Sequence, residues 1–90
     1  MYELVKKILD RAKEEDVMFG VAYDMVANEI GYTDELKKAK AFIHKHYEEI
    51  TALRVKGKEA DIKILCAMAE KENTNGVEHH IENLKDQGVI

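Results

Sequence analysis

Proline and tryptophan are absent from this 90-residue chain, and only five glycines and one cysteine occur. Without proline, helices can run uninterrupted, and the glycines are the expected places for breaks. These are Gly20, Gly31, Gly57, Gly76 and Gly88. The lone cysteine excludes an intramolecular disulfide, and Cys66 lies in an apolar stretch that suits a core. The scarcity of turn-forming residues therefore favours an all-α fold.

Long apolar runs are also missing. No stretch approaches the roughly 18 apolar residues that a membrane-spanning helix needs, and the N-terminus lacks the core of a signal peptide, so we expect a cytoplasmic protein. Apolar residues make up 46% of the chain, which is enough for a folded core, and its length suits one helical domain over residues 1–90. The net charge of −4 argues against broad non-specific binding of nucleic acid.

Apolar residues recur at helical spacing along the whole chain, which predicts a compact bundle of four to five helices. The second helix, over about residues 17–30 with an N-cap at Asp16, is apolar on nearly every side, so we expect it to be well buried. The third helix runs from Asp34 to about Val55 and is the longest. A capping box formed by Asn75 and Glu78 is expected to open the last, short helix.

The long third helix carries a seam of residues at alternating spacings of three and four, similar to that of a coiled coil. Its members are Leu36, Ala39, Ile43, His46, Ile50 and Leu53. This seam is longer than the neighbouring helices can cover, and it would leave apolar surface for a second copy of the chain. The sequence therefore predicts a homodimer.

Residues 23–42 contain a possible DNA-binding motif. A small residue at the helix crossing, Ala27, precedes a turn at Gly31 by four residues, and Val26, Ile30 and Tyr32 are expected to face inward. Over this segment the chain resembles the helix-turn-helix of AraC-type transcription regulators. The resemblance implies a DNA-binding corner whose second helix enters the major groove.

The second half of the motif departs from the family pattern. The two apolar anchors of the recognition helix fall on Lys37 and Lys40, whereas a turn one residue shorter would place them on Leu36 and Ala39. Asp34 and Glu35 also stand where nucleic acid would approach the helix, and their carboxylates would repel phosphates. The candidate contacts to nucleic acid are Asn28, Thr33, Lys37, Lys38, Lys40 and Lys45.

The four histidines do not form a chelating pair within one helix. His44 and His46 are two residues apart, and His79 and His80 are adjacent, so the members of each pair diverge. Two half sites stay open as alternatives, namely His46 with Glu49 and His79 with Glu82. Apart from these two half sites, the sequence indicates no catalytic, cofactor-binding or metal-binding residues.

These observations predict a small, non-enzymatic regulatory or interaction protein that acts through a helical surface. Its partner is expected to be another protein, a second copy of the chain, or both. The alternative is a helix-turn-helix transcription regulator that binds DNA through the lysines after Gly31.

Overall fold

The structure, a computed structural model, describes residues 1–90 and contains six α-helices and no strand. They are α1 (Tyr2–Glu15), α2 (Phe19–Ile30), α3 (Asp34–Lys45), α4 (Tyr47–Val55), α5 (Glu59–Glu70) and α6 (Thr74–Asp86). The all-α prediction is confirmed, whereas the predicted count of four to five helices is wrong. None of the six has both the length and the apolar character needed to cross a membrane.

The helices fall into two compact units of equal length. Unit 1 comprises residues 1–45, and unit 2 comprises residues 46–90. In unit 1, α1 packs against both α2 and α3, and α2 also contacts α3; in unit 2, α5 packs against both α4 and α6. That the whole chain folds as one domain stays a prediction.

The prediction of one long third helix is wrong, because the helix is interrupted at His46. This residue has φ −123° and ψ 32°, outside the helical region, and it is the N-cap of α4. Charge in the sequence marks the break. His44 and Lys45 lie in the last turn of α3, and Glu48 and Glu49 lie in the first turn of α4. Helix dipoles favour basic side chains at a C-terminus and acidic side chains at an N-terminus.

The apolar seam, in contrast, is real. All six of its members are buried, with exposed fractions of 0 to 7%: Leu36, Ala39, Ile43, His46, Ile50 and Leu53. The chain itself covers the seam, so the expectation that part of it stays open for a second copy is wrong. The ground on which a homodimer was predicted is therefore lost.

Two predicted helix caps are displaced. Asp16 does not cap α2; it ends α1 in the left-handed conformation, with φ 53°, and Met18 is the N-cap of α2. The N-cap of α6 is Asn73, whose side-chain oxygen accepts a hydrogen bond from the Gly76 N–H at 3.0 Å. Asn75 lies inside α6, so the predicted capping box is wrong, although a side chain of the same type two residues earlier does the capping.

The glycines divide into two groups. Gly31, Gly57 and Gly88 have positive φ and follow helices, as expected of breaks. Gly20 and Gly76 lie inside α2 and α6, so the predicted breaks there are wrong. Gly76 has a different reason to be glycine, because a Cβ at this position would stand 2.3 Å from the side-chain nitrogen of the capping Asn73.

The two units have the same order of helices at a spacing of forty residues, although the sequence shows no internal repeat. Helices α2 and α5 begin at residues 19 and 59, α3 and α6 begin at 34 and 74, and α1 and α4 end at 15 and 55. The third helix of each unit opens with a side-chain cap, Thr33 in unit 1 and Asn73 in unit 2. The recurrence lies in helix boundaries rather than in residue identity.

Substituting alanine at the two helical glycines should have opposite effects on stability. Gly76→Ala should lower the free energy of unfolding by about 1 kcal/mol, because the new methyl group displaces the Asn73 cap. Gly20→Ala meets no atom within 4 Å and should raise it by about 0.5–1 kcal/mol, through the higher helix propensity of alanine. Urea denaturation followed by circular dichroism measures both; shifts of equal sign would contradict the proposed role of Gly76.

Candidate functional site

One glycine conformation and two local hydrogen bonds define the corner between α2 and α3. Helix α2 ends at Gly31, which has φ 95° and whose N–H donates to the carbonyl of Ala27 at 2.7 Å. Helix α3 opens after Thr33, whose hydroxyl oxygen accepts a hydrogen bond from the Leu36 N–H at 3.1 Å. Thr33 is thus the side-chain cap of α3.

The corner fixes which residues of α3 are buried. Leu36 and Ala39 are fully buried, whereas Lys37 is exposed and Lys40 is only half-buried. The anchors are therefore Leu36 and Ala39, the residues that a turn one residue shorter was expected to place there. Ile30 and Tyr32 are 43% and 52% exposed, so the expectation that they face inward is wrong.

Tyr32 is exposed because it lies on the surface of α2. Its ring meets that of Tyr23 edge-on, with centroids 5.7 Å apart, and its hydroxyl donates to the carboxylate of Asp24 at 3.2 Å. The ammonium of Lys40 lies 4.5 Å from the centroid of the same Tyr23 ring, a cation–π contact. Lys40 is thus engaged in packing α3 against α2, unlike the other lysines of α3 that were predicted to contact DNA.

The environment of Tyr32 raises the pKa of its phenol, first through partial shielding from water and then through the hydrogen bond to Asp24. A raised pKa means that the fold favours the neutral phenol. The stability that this preference contributes is complete below the ordinary tyrosine pKa of about 10, and it is lost as the pH rises through the raised value.

Replacing Asp24 with asparagine should lower the pKa of Tyr32 toward its ordinary value, because the negative charge that favours the neutral phenol is removed. NMR titration of ring-labelled tyrosine follows Tyr32 separately from the other three tyrosines. Asp86→Asn removes the same charge from unit 2 and should leave this titration unchanged. An identical Tyr32 pKa in the wild type and Asp24→Asn would show that the hydrogen bond does not form.

The remaining lysines of α3 form a basic outer face. Lys37, Lys38 and Lys45 are all exposed. Asp34 is exposed too, and its spacing of four from Lys38 and eleven from Lys45 places the three residues on one side of the helix. This face therefore begins with a carboxylate. Asn28, the remaining candidate contact, is exposed on α2.

The outer side of α2 carries an exposed apolar stripe that the sequence reasoning missed. Met18 is 79% exposed and Val21 is 47% exposed, and Met25, seven residues after Met18, is half-buried. This spacing of three and then four residues places them on one helical face, named here the methionine stripe. The expectation that α2 is well buried is therefore wrong on this side of the helix.

Unit 2 holds the buried and paired histidines. The His80 ring nitrogen Nε2 lies 3.2 Å from Asp61, which links α6 to α5, and the His46 Nδ1 lies 3.8 Å from Glu49. A shallow cleft of about 260 Å³ is lined by His46, Glu49, Glu78, Ile81, Glu82 and Lys85. No three histidine, cysteine or acidic side chains lie close enough together to hold a metal ion.

Cys66 is buried in α5, and burial raises the pKa of its thiol to about 12. A thiol with this pKa is almost wholly protonated near neutral pH, which disfavours both nucleophilic attack and metal ligation. Cys66 therefore packs as a small apolar side chain, as the sequence predicted.

Comparison of the chain with protein-family models, with curated proteins and with solved structures found no match in any of the three.

Proposed function

We propose that this protein is a non-enzymatic interaction protein that binds another protein through the methionine stripe. The observation that carries the proposal is the exposure of Met18 and Val21 on one face of α2. Large apolar side chains exposed on one face cost free energy in water, and in small folded proteins they commonly mark a binding surface. Methionine suits such a surface because its unbranched, polarizable side chain adapts to different partners.

The rest of the chain agrees with this role. The thiol of Cys66 is buried and held protonated, so it is not poised for chemistry on a substrate. The partner is another protein rather than a second copy in this proposal, because the seam that suggested self-association is covered.

Site-specific photo-crosslinking tests the proposed surface. With benzoylphenylalanine at position 18, the protein should give a crosslinked product of discrete mass in extracts of the cells that naturally produce it. The matched control places the same group at Val55, which is 83% exposed but lies in unit 2. Identical products at both positions, or none at position 18, would contradict the proposal.

The crosslinked partner is then purified and its affinity measured directly. The double substitution Met18→Asn and Val21→Asn should weaken binding about tenfold or more, since it removes the exposed apolar contacts of the surface. Val55→Asn should leave the affinity unchanged. Circular dichroism confirms that the variants keep their helices, as expected for changes at exposed positions.

The second candidate function is DNA binding by unit 1, and one observation favours it. The α2–α3 corner buries Leu36 and Ala39 as anchors while Lys37, Lys38 and Lys45 remain on the outer face of α3. The carboxylate of Asp34 on the same face opposes this function, and so does the net negative charge of the chain.

Charge reversal on α3 tests the DNA hypothesis. If Lys37 and Lys38 contact phosphates, Lys37→Glu with Lys38→Glu should weaken duplex binding and reduce the slope of log affinity against log salt by about 2. Lys58→Glu with Lys71→Glu changes the net charge equally in unit 2 and should leave the slope unchanged. Absence of duplex binding by the wild type at low salt would remove this candidate.

A further inference from the structure

We infer that the partner segment bound by the methionine stripe is a cationic amphipathic helix, one with lysine or arginine beside an apolar ridge. This inference rests on the proposed function and names the chemistry of its partner. Three observations carry it. They are the length of the stripe, the charge of the segment that bears it, and the poor fit of the chain's other helices as partners for it.

The stripe has the dimensions of one helix-to-helix contact. Met18 and Met25 are seven residues apart, which is about two helical turns or 10 Å along α2. Partner helices that bind through one face place their anchors at the same intervals of three, four and seven residues. A helix laid along α2 can therefore set its own apolar ridge against Met18, Val21 and Met25.

The segment that bears the stripe has acidic charges only. From Glu14 to Leu36 the chain has no lysine or arginine, although it has seven acidic residues. Glu14, Glu15 and Asp16 are exposed immediately before the stripe, and Asp24 is exposed three residues after Val21. Glu29 is also acidic, but its charge is offset because it is paired with Arg11 of α1. Carboxylates next to an apolar contact attract a cationic partner and disfavour an acidic one.

The same charge disfavours the other occupants of an apolar helix face. Anionic lipid surfaces and nucleic acid would both be repelled by carboxylates at the edge of the stripe. A second copy of the chain is a poor match. The helices of unit 2 that expose large apolar side chains, α4 with Tyr47 and Val55 and α5 with Ile64, each carry more acidic than basic residues. The exposed face of α3 combines Lys37, Lys38 and Lys45 with no large apolar residue, and the apolar residues Val5 and Ile8 of the lysine-bearing α1 are buried in the core.

Two synthetic peptides of equal length test the partner chemistry. One forms an amphipathic helix with leucine at intervals of three and four and lysine elsewhere, and in the other every lysine is replaced by glutamate. We expect the lysine peptide to bind at least about tenfold more tightly by isothermal titration calorimetry, with an affinity that falls as salt is added. In ¹⁵N-labelled protein its largest shift changes should fall on residues 14–25.

Unit 2 is the internal control for simple charge attraction. It carries nine acidic and six basic residues, a larger excess of negative charge than the nine and eight of unit 1. Binding by charge alone would therefore shift resonances of unit 2 at least as strongly. Met18→Asn with Met25→Asn should weaken the lysine peptide about tenfold, whereas Ile64→Asn, at an exposed apolar position of α5, should not.

Neutral substitutions of similar size distinguish the charged part of the contact from its apolar part. Asp16→Asn with Glu15→Gln should weaken the lysine peptide a few-fold and flatten its salt dependence, and asparagine is tolerated at the positive φ of position 16. The glutamate peptide should be insensitive to this change or gain affinity.

The inference is overturned if the glutamate peptide binds as tightly as the lysine peptide, or if shift changes appear mainly in unit 2. It is also overturned if light scattering detects a dimer that Met18→Asn abolishes, since the occupant is then a second copy. Crosslinking at position 18 separates this failure from that of the proposed function. A partner captured there whose binding segment is acidic or non-helical leaves the surface correct and the partner chemistry wrong.

Discussion

The starting point of α3 determines the surface chemistry of unit 1. The positive φ of Gly31 ends α2, and the hydroxyl of Thr33 caps the next helix, so the first residue of α3 is fixed by two local interactions. Because side chains on a helix have fixed angular positions, fixing its first turn also fixes which of its residues enter the core. Leu36 and Ala39 go inside, and the neighbouring lysines stay at the surface.

Sequence patterns predicted helical faces better than they predicted helix continuity. The seam from Leu36 to Leu53 is buried throughout, because apolar burial dominates packing and its period is visible in the sequence. The interruption at His46 was missed because neither glycine nor proline marks it; the change from basic to acidic residues was the available signal. Tyr32 was placed inside by motif position, whereas its contacts with Tyr23 and Asp24 hold it on the surface of α2.

The exposed methionine stripe follows from the small size of the unit that contains it. Three helices can cover only part of each other's surfaces, and a helix that is apolar on nearly every side must then leave apolar residues in water. Apolar periodicity identifies the buried side of α2 through Ala22 and Val26, but it cannot tell how many neighbours the helix will have. The core of the candidate site was therefore predictable, and its exposed side required the tertiary structure.

The choice of Leu36 and Ala39 as the anchors of α3 has an energetic cause. If Lys37 and Lys40 took the anchor positions instead, an ammonium group would be buried without a partner, which costs several kcal/mol. In the observed register two apolar side chains are buried instead, and Lys40 keeps its charge near the surface while its ammonium lies over the Tyr23 ring. Burial energetics therefore override motif position, and they turn α3 so that Asp34 shares its outer side with Lys38 and Lys45. A face built this way is less suited to phosphates than the lysine count suggests, which strengthens the case for α2 as the binding helix.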